Sequence, residues 1–125
     1  MAADYIVKQH DVPAPLRRVL KDGGAIVNLT GALAVRFRMT ALDGTIKIAD
    51  ADAGVYGTAT DGEVEYEWVE GDLDTLGWYR GEFKVSWTDE RETFPGSGWI
   101  SIQVVTDPAI TLTRTLGTNT VQVTV

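Results

Sequence analysis

Cysteine is absent from the chain, and histidine occurs once. The first absence excludes disulfides, thiolate metal sites and cysteine nucleophiles. The second leaves His10, beside Asp11 and just before a proline bend, without the partners that a catalytic triad or metal site requires. His10 is therefore expected in a surface loop. No apolar run approaches the roughly 18 residues of a membrane-spanning helix, so no membrane partner is expected. Met1 to Lys8 lacks the basic flank and apolar core of a secretory signal, so export by the general route is not expected. Basic charge is also scarce: 11 Lys and Arg against 18 Asp and Glu give a net charge of −7. Such a chain repels phosphate backbones, which argues against a nucleic-acid partner. The local pairs Arg17-Arg18 and Arg36/Arg38 are too small to form a groove. Glycine-rich phosphate loops, nucleophile elbows and metal-ligand clusters do not occur, so neither a cofactor nor catalysis is expected.

Helical periodicity is nearly missing as well, and period two takes its place. Tyr5-Ile6-Val7 opens as a short strand, and Pro13 to Pro15 forms a bend or edge. Leu16 to Leu20 reads as a strand or one helical turn. Ile26 to Leu29 reads as a strand broken by Thr30-Gly31. Val35, Phe37 and Met39 alternate with Arg36 and Arg38, which gives an apolar inner face and a basic outer face. Asp43-Gly44 is a hairpin turn, and Thr45 to Ile48 a further strand. Ala49 to Gly62, rich in Asp, Ala, Gly and Thr, reads mostly as loop.

The clearest strand is Glu63 to Trp68, with Val64, Tyr66 and Trp68 facing one way and Glu63, Glu65 and Glu67 the other. That acid row pairs with Arg36/Arg38 if the two strands are neighbours. Tyr79, Gly81, Phe83, Val85 and Trp87 share one register, and Arg80, Glu82 and Lys84 the other. Glu92-Thr93-Phe94 is a short return strand, and Ile100, Ile102 and Val104 alternate with Ser101 and Gln103. Many short strands separated by turns predict an all-β sandwich or barrel, each sheet with one dry and one wet face.

Two domain segments are expected: a sandwich over residues 1–105 and a Thr-rich strand pair over 106–125. The strand pair carries little charge to blunt its edges, so it either docks on a neighbour by strand addition or completes the domain's own sheet. Trp78 and Trp99 fall on the register opposite their apolar neighbours. Exposed tryptophan favours binding of proteins or sugars. The candidate interface residues are therefore Trp78, Trp99, Ile110, Leu112, Arg114, Val121, Val123 and Val125. The aspartate pairs Asp50/Asp52 and Asp72/Asp74 lack calcium-loop spacing and read as turn formers. Asn28-Leu29-Thr30 matches a glycosylation acceptor, which has no use without export.

Three groups of residues, taken in order, carry a family resemblance. They are Asp4 to Gln9 with Val27 to Ala32 and Val35 to Met39; Gly62 to Trp68 with Gly71 to Asp74 and Gly77 to Tyr79; and Glu92 to Pro95 with Gly98 to Ile100. Over about residues 4–104 the chain resembles the N-terminal domain of baseplate upper proteins of tailed bacteriophages, and small phage proteins built on it. The resemblance implies an immunoglobulin-like β-sandwich and a structural role in the virion, with no catalytic residues. Its partners are then other tail, baseplate or capsid subunits, with several copies assembled in the host cytoplasm. Gly77-Trp78-Tyr79 also looks like the start of a sandwich strand whose tyrosine hydroxyl locks a corner. Baseplate upper proteins are longer, so capsid decoration and a head-tail neck position remain open beside a tail or baseplate place. A carbohydrate-binding module using Trp78 or Trp99 is the alternative from another class.

Overall fold

A computed structural model describes residues 3–95 and 99–106, together with the backbone pairing of 112–116 and 119–123. Among the described residues twelve strands occur in order: β1 Tyr5–Lys8, β2 Leu16–Val19, β3 Lys21–Asp22, β4 Ala25–Ile26, β5 Ala34–Ala41, β6 Ile46–Val55, β7 Glu63–Tyr66, β8 Gly77–Ser86, β9 Arg91–Phe94, β10 Ile100–Val105, β11 Leu112–Leu116 and β12 Asn119–Val123. The expected all-β class is observed.

Eight strands form one sheet in the order β1-β10-β8-β5-β6-β7-β2, with β9 also paired to β8. β1 runs parallel to β10, and every other pair is antiparallel. The sheet curls. Phe37 pairs with Ala51 and Met39 with Ile48, then Thr40 with Ile46. β6 thus holds an extra residue at each of two steps, and bulges of this kind bend a strand and raise its twist. The curl brings the two ends of the strand order together, where the Tyr5 hydroxyl donates to the Arg17 carbonyl at 2.8 Å.

The core lies inside the curl. Phe37, Met39, Val64, Tyr66, Tyr79, Phe83, Val85, Ile100, Ile102 and Val104 are buried, each in the register expected from alternation. Phe37 is central, packing on Tyr66, Trp68 and Phe83 with ring centroids 4.5–5.8 Å apart. Gly81 sits in the same inward register at a close approach: a Cβ there lies 3.0 Å from Ile102 Cδ1 and 3.2 Å from the Phe37 ring. Glycine in a strand often marks such a close approach.

The structure corrects several expectations. The first half of the segment expected to be loop, Ala49 to Gly62, is strand, because β6 continues to Val55. Its Ala51 and Ala53 are small residues packed against the core, so tertiary pairing with β5 overrides weak strand propensity. The strand expected to reach Leu29 stops at Ile26. There the Asn28 carboxamide oxygen accepts from both the N–H and the hydroxyl of Thr30, at 2.9 and 2.6 Å, and this local turn competes with a ladder. The Glu63/Glu65/Glu67 row does not meet Arg36/Arg38, because β6 lies between their strands. Arg36 instead pairs with Asp52, and Glu65 with Arg17. Leu16–Val19 is strand, not a helical turn.

Candidate functional site

Alternation on β8 sends Tyr79, Gly81, Phe83 and Val85 into the core, so Trp78, Arg80, Glu82 and Lys84 point outward. The flanking ladders align partners with them. Gln103 stands beside Trp78 and Ile6 beside Gln103, which makes an outward row across β8, β10 and β1. Ser101 and Thr40 flank Arg80.

Trp99 precedes β10, whose first residue pairs with Gly81. Its ring lies under the Arg80 guanidinium, 4.4 Å from Cζ to the ring centroid. Arg80 also reaches the Leu42 carbonyl at 3.4 Å, a long contact, and its Nε is buried without a partner among the described residues. The two tryptophans singled out from the sequence therefore share one face of the sheet, with Arg80 lying between them in the strand pattern. Around them Ile6 is 65% exposed, Leu42 46% and Trp99 40%. Trp78 is half-buried.

The same face changes character further along β8. Arg36, Arg38, Lys84, Asp50, Glu82 and Thr93 surround a depression of about 260 Å³. Its charges compensate one another: Arg36 pairs with Asp52, and Arg38 stands opposite Glu82. The site is thus an aromatic and aliphatic zone beside a balanced charged zone.

The remaining candidates divide. Leu112, Arg114, Val121 and Val123 lie on β11 and β12, which pair with each other, Leu112 opposite Val123 and Arg114 opposite Val121. Among the described residues no ladder joins this hairpin to the eight-stranded sheet. Ile110 and Val125 lie outside the described residues. His10 occupies a loop, with φ at +69° and its N–H donated to the Leu73 carbonyl at 2.8 Å.

The aspartates have structural tasks. Asp72 accepts from the Tyr66 hydroxyl at 2.5 Å and from the Val69 N–H at 2.9 Å. Burial, then this bond, holds the Tyr66 hydroxyl protonated well above its ordinary range. Asp74 pairs with Lys47, which, with a bond from the Thr75 hydroxyl, lowers its pKa. Among the described residues no three His, Asp or Glu side chains converge as a metal site. Sequence reasoning missed Arg80, Leu42 and Ile6. Arg80 carried one signal, its position two residues from Trp78 on the same strand face.

Comparison with protein-family models, with curated proteins and with solved structures gives no match for this chain.

Proposed function

We propose that this chain is a docking module, a structural subunit of a bacteriophage virion placed in the tail or baseplate, built on an immunoglobulin-like sandwich. Its action is association with other virion proteins and with further copies of itself, not catalysis. Two features support the sandwich. The successions β2-β7-β6 and β5-β8-β10 follow the B-E-D and C-F-G neighbours of an immunoglobulin domain. The Tyr79 hydroxyl, at the start of β8, donates to the Thr75 carbonyl four residues upstream at 2.7 Å, in the manner of a tyrosine corner.

The observation that carries the docking reading is the Trp78, Arg80 and Trp99 group with Ile6 and Leu42 exposed around it. Tryptophan and arginine dominate binding energy at protein interfaces, and Arg80 is already held against Trp99, so less side-chain freedom is lost on association. A sugar-binding reading is weaker, because Arg80 occupies one face of the Trp99 ring on which a sugar would stack. The unjoined hairpin is a second contact for neighbouring subunits, since an isolated two-stranded hairpin is marginal in water.

Quantitative mass spectrometry of purified particles tests this reading. The protein is expected at stoichiometric copy number, and Trp78→Ala/Trp99→Ala is expected to fold normally yet be depleted from particles at least tenfold. Absence of the unmodified protein from particles overturns the virion role. Normal incorporation of the double variant overturns the assigned surface.

A further inference from the structure

The eight-stranded sheet does not close along its whole length. β9 and β10 both run antiparallel to β8 on the same side of it, so they lie in line, separated by the segment between Phe94 and Ile100. β1 covers β10 by pairing with Ile102 to Val105, and no strand among the described residues covers β9. On the far side, Tyr5 closes against Arg17, while Val19, two residues on, presents its backbone to the same edge by alternation. A cavity of about 140 Å³ occupies the remaining gap, lined by Arg18, Val19, Leu20, Lys21, Phe94, Pro95 and Ile100.

The chemistry of this gap is specific. Its floor is apolar, since Leu20, Phe94 and Ile100 belong to the buried core. Its walls are strand edges. The Trp87 N–H bonds the Glu90 carbonyl across the β8–β9 turn, so alternation turns the Glu92 and Phe94 backbones toward β8 and those of Arg91 and Thr93 toward the gap. Arg18 stands in the inward register of β2, opposite Val64, half-buried. It has no hydrogen-bond or ion-pair partner among the described residues. Two cations line the cavity, Arg18 and Lys21, and no carboxylate does.

We infer that the gap between β2 and β9 accepts an extended segment of another polypeptide, with an aliphatic side chain in the cavity and a carboxylate on Arg18. Backbone pairing with Val19 on one side and with Arg91 and Thr93 on the other supplies affinity, as in strand addition. Arg18 and Leu20 are two residues apart in one register, so the guest carries its acid and its aliphatic residue two apart as well. The site is separate from the Trp78 and Trp99 face and does not depend on it. The competing account treats Arg18 as an inward charge that guards an edge against association. That account leaves the apolar cavity beside the charge unfilled.

The test uses the full chain, labelled with nitrogen-15, and the blocked peptide Thr-Glu-Thr-Val-Thr-Val. Saturating peptide is expected to slow amide exchange at Val19, Arg91 and Thr93 at least tenfold. Replacing its Glu by Lys, or replacing Arg18 in the protein by Leu, is expected to weaken binding about tenfold. Absence of protection, or equal binding of the Lys peptide, overturns the inference. Self-association of Arg18→Leu on gel filtration also overturns it, because a guard, and not an acceptor, produces that result. Loss of the Trp78 and Trp99 surface leaves peptide binding unchanged.

Discussion

Phe37 and Tyr66 stack with ring centroids 4.5 Å apart and planes at 22°, although their strands β5 and β7 are not paired. β6 lies between them in the strand order, so the contact exists only because the sheet folds over on itself. Trp68 meets both rings edge-on, the preferred geometry for aromatic pairs. Removing Phe37 takes away three aromatic partners at once and leaves a cavity that the surrounding strands cannot fill. Phe37→Ala is expected to cost about 3–5 kcal/mol, a large part of the stability of a small domain. Urea titration followed by tryptophan fluorescence measures it.

Three glycines separate backbone strain from simple space. Gly62 ends the short 3-10 turn at Ala59–Asp61 with φ at +67°, and a Cβ there lies 2.6 Å from the Val27 carbonyl oxygen. Gly62→Ala therefore suffers both an unfavourable backbone and a collision with main chain. It is expected to cost well over about 1 kcal/mol. Gly81→Ala presses on side chains, Ile102 and Phe37, and is expected to cost less than Gly62→Ala. Gly54 has a φ open to all residues and free space around its missing Cβ. Gly54→Ala is expected to be neutral or to stabilise by up to about 1 kcal/mol through the unfolded chain. Melting temperatures of the three variants should rank in that order, with Gly62→Ala lowest.

The inward faces of β5, β7, β8 and β10 were legible because each alternates large apolar residues with charged or polar ones. Val64, Tyr66 and Trp68 against Glu63, Glu65 and Glu67 is the clearest case. β6 was not legible. Ala51, Ala53 and Gly54 carry almost no hydrophobic signal, and they form strand because β5 and β7 offer them partners. The site was half legible. Trp78 and Trp99 stood out by register, but their association through Arg80 depends on the pairing of β8 with β10, and alternation identifies faces without naming neighbours.

The Tyr79 hydroxyl bridges the loop before β8 to its own strand by donating to the Thr75 carbonyl. Tyr79→Phe keeps the buried ring and removes this one bond, leaving the carbonyl without its donor. The expected loss is about 1 kcal/mol. Hydrogen exchange checks the location of the effect: amides at Thr75 to Trp78 should exchange faster, while those of β5 keep their protection.

The Tyr66 hydroxyl gives the fold a defined alkaline response. It is buried and donates to Asp72 at 2.5 Å. Burial, the bond and the nearby carboxylate all favour the neutral phenol, so its folded pKa lies above the ordinary value of 10.0. The unfolded chain loses this proton near pH 10, while the folded chain keeps it to higher pH. The folded state thus binds more protons in that window, and stability falls as pH rises through it. Below pH 10 the contribution is complete, because the phenol is protonated in both states. Tyr66→Phe is therefore expected to be less stable at neutral pH by about 1.5–3 kcal/mol, the worth of a hydrogen bond to a charged acceptor. It should also lose less stability than the unmodified chain between pH 10 and 12. Denaturant midpoints at pH 7, 10, 11 and 12 measure both differences. Parallel loss of stability in the two proteins above pH 10 would mean that Tyr66 ionises freely and that its bond to Asp72 is not formed in solution.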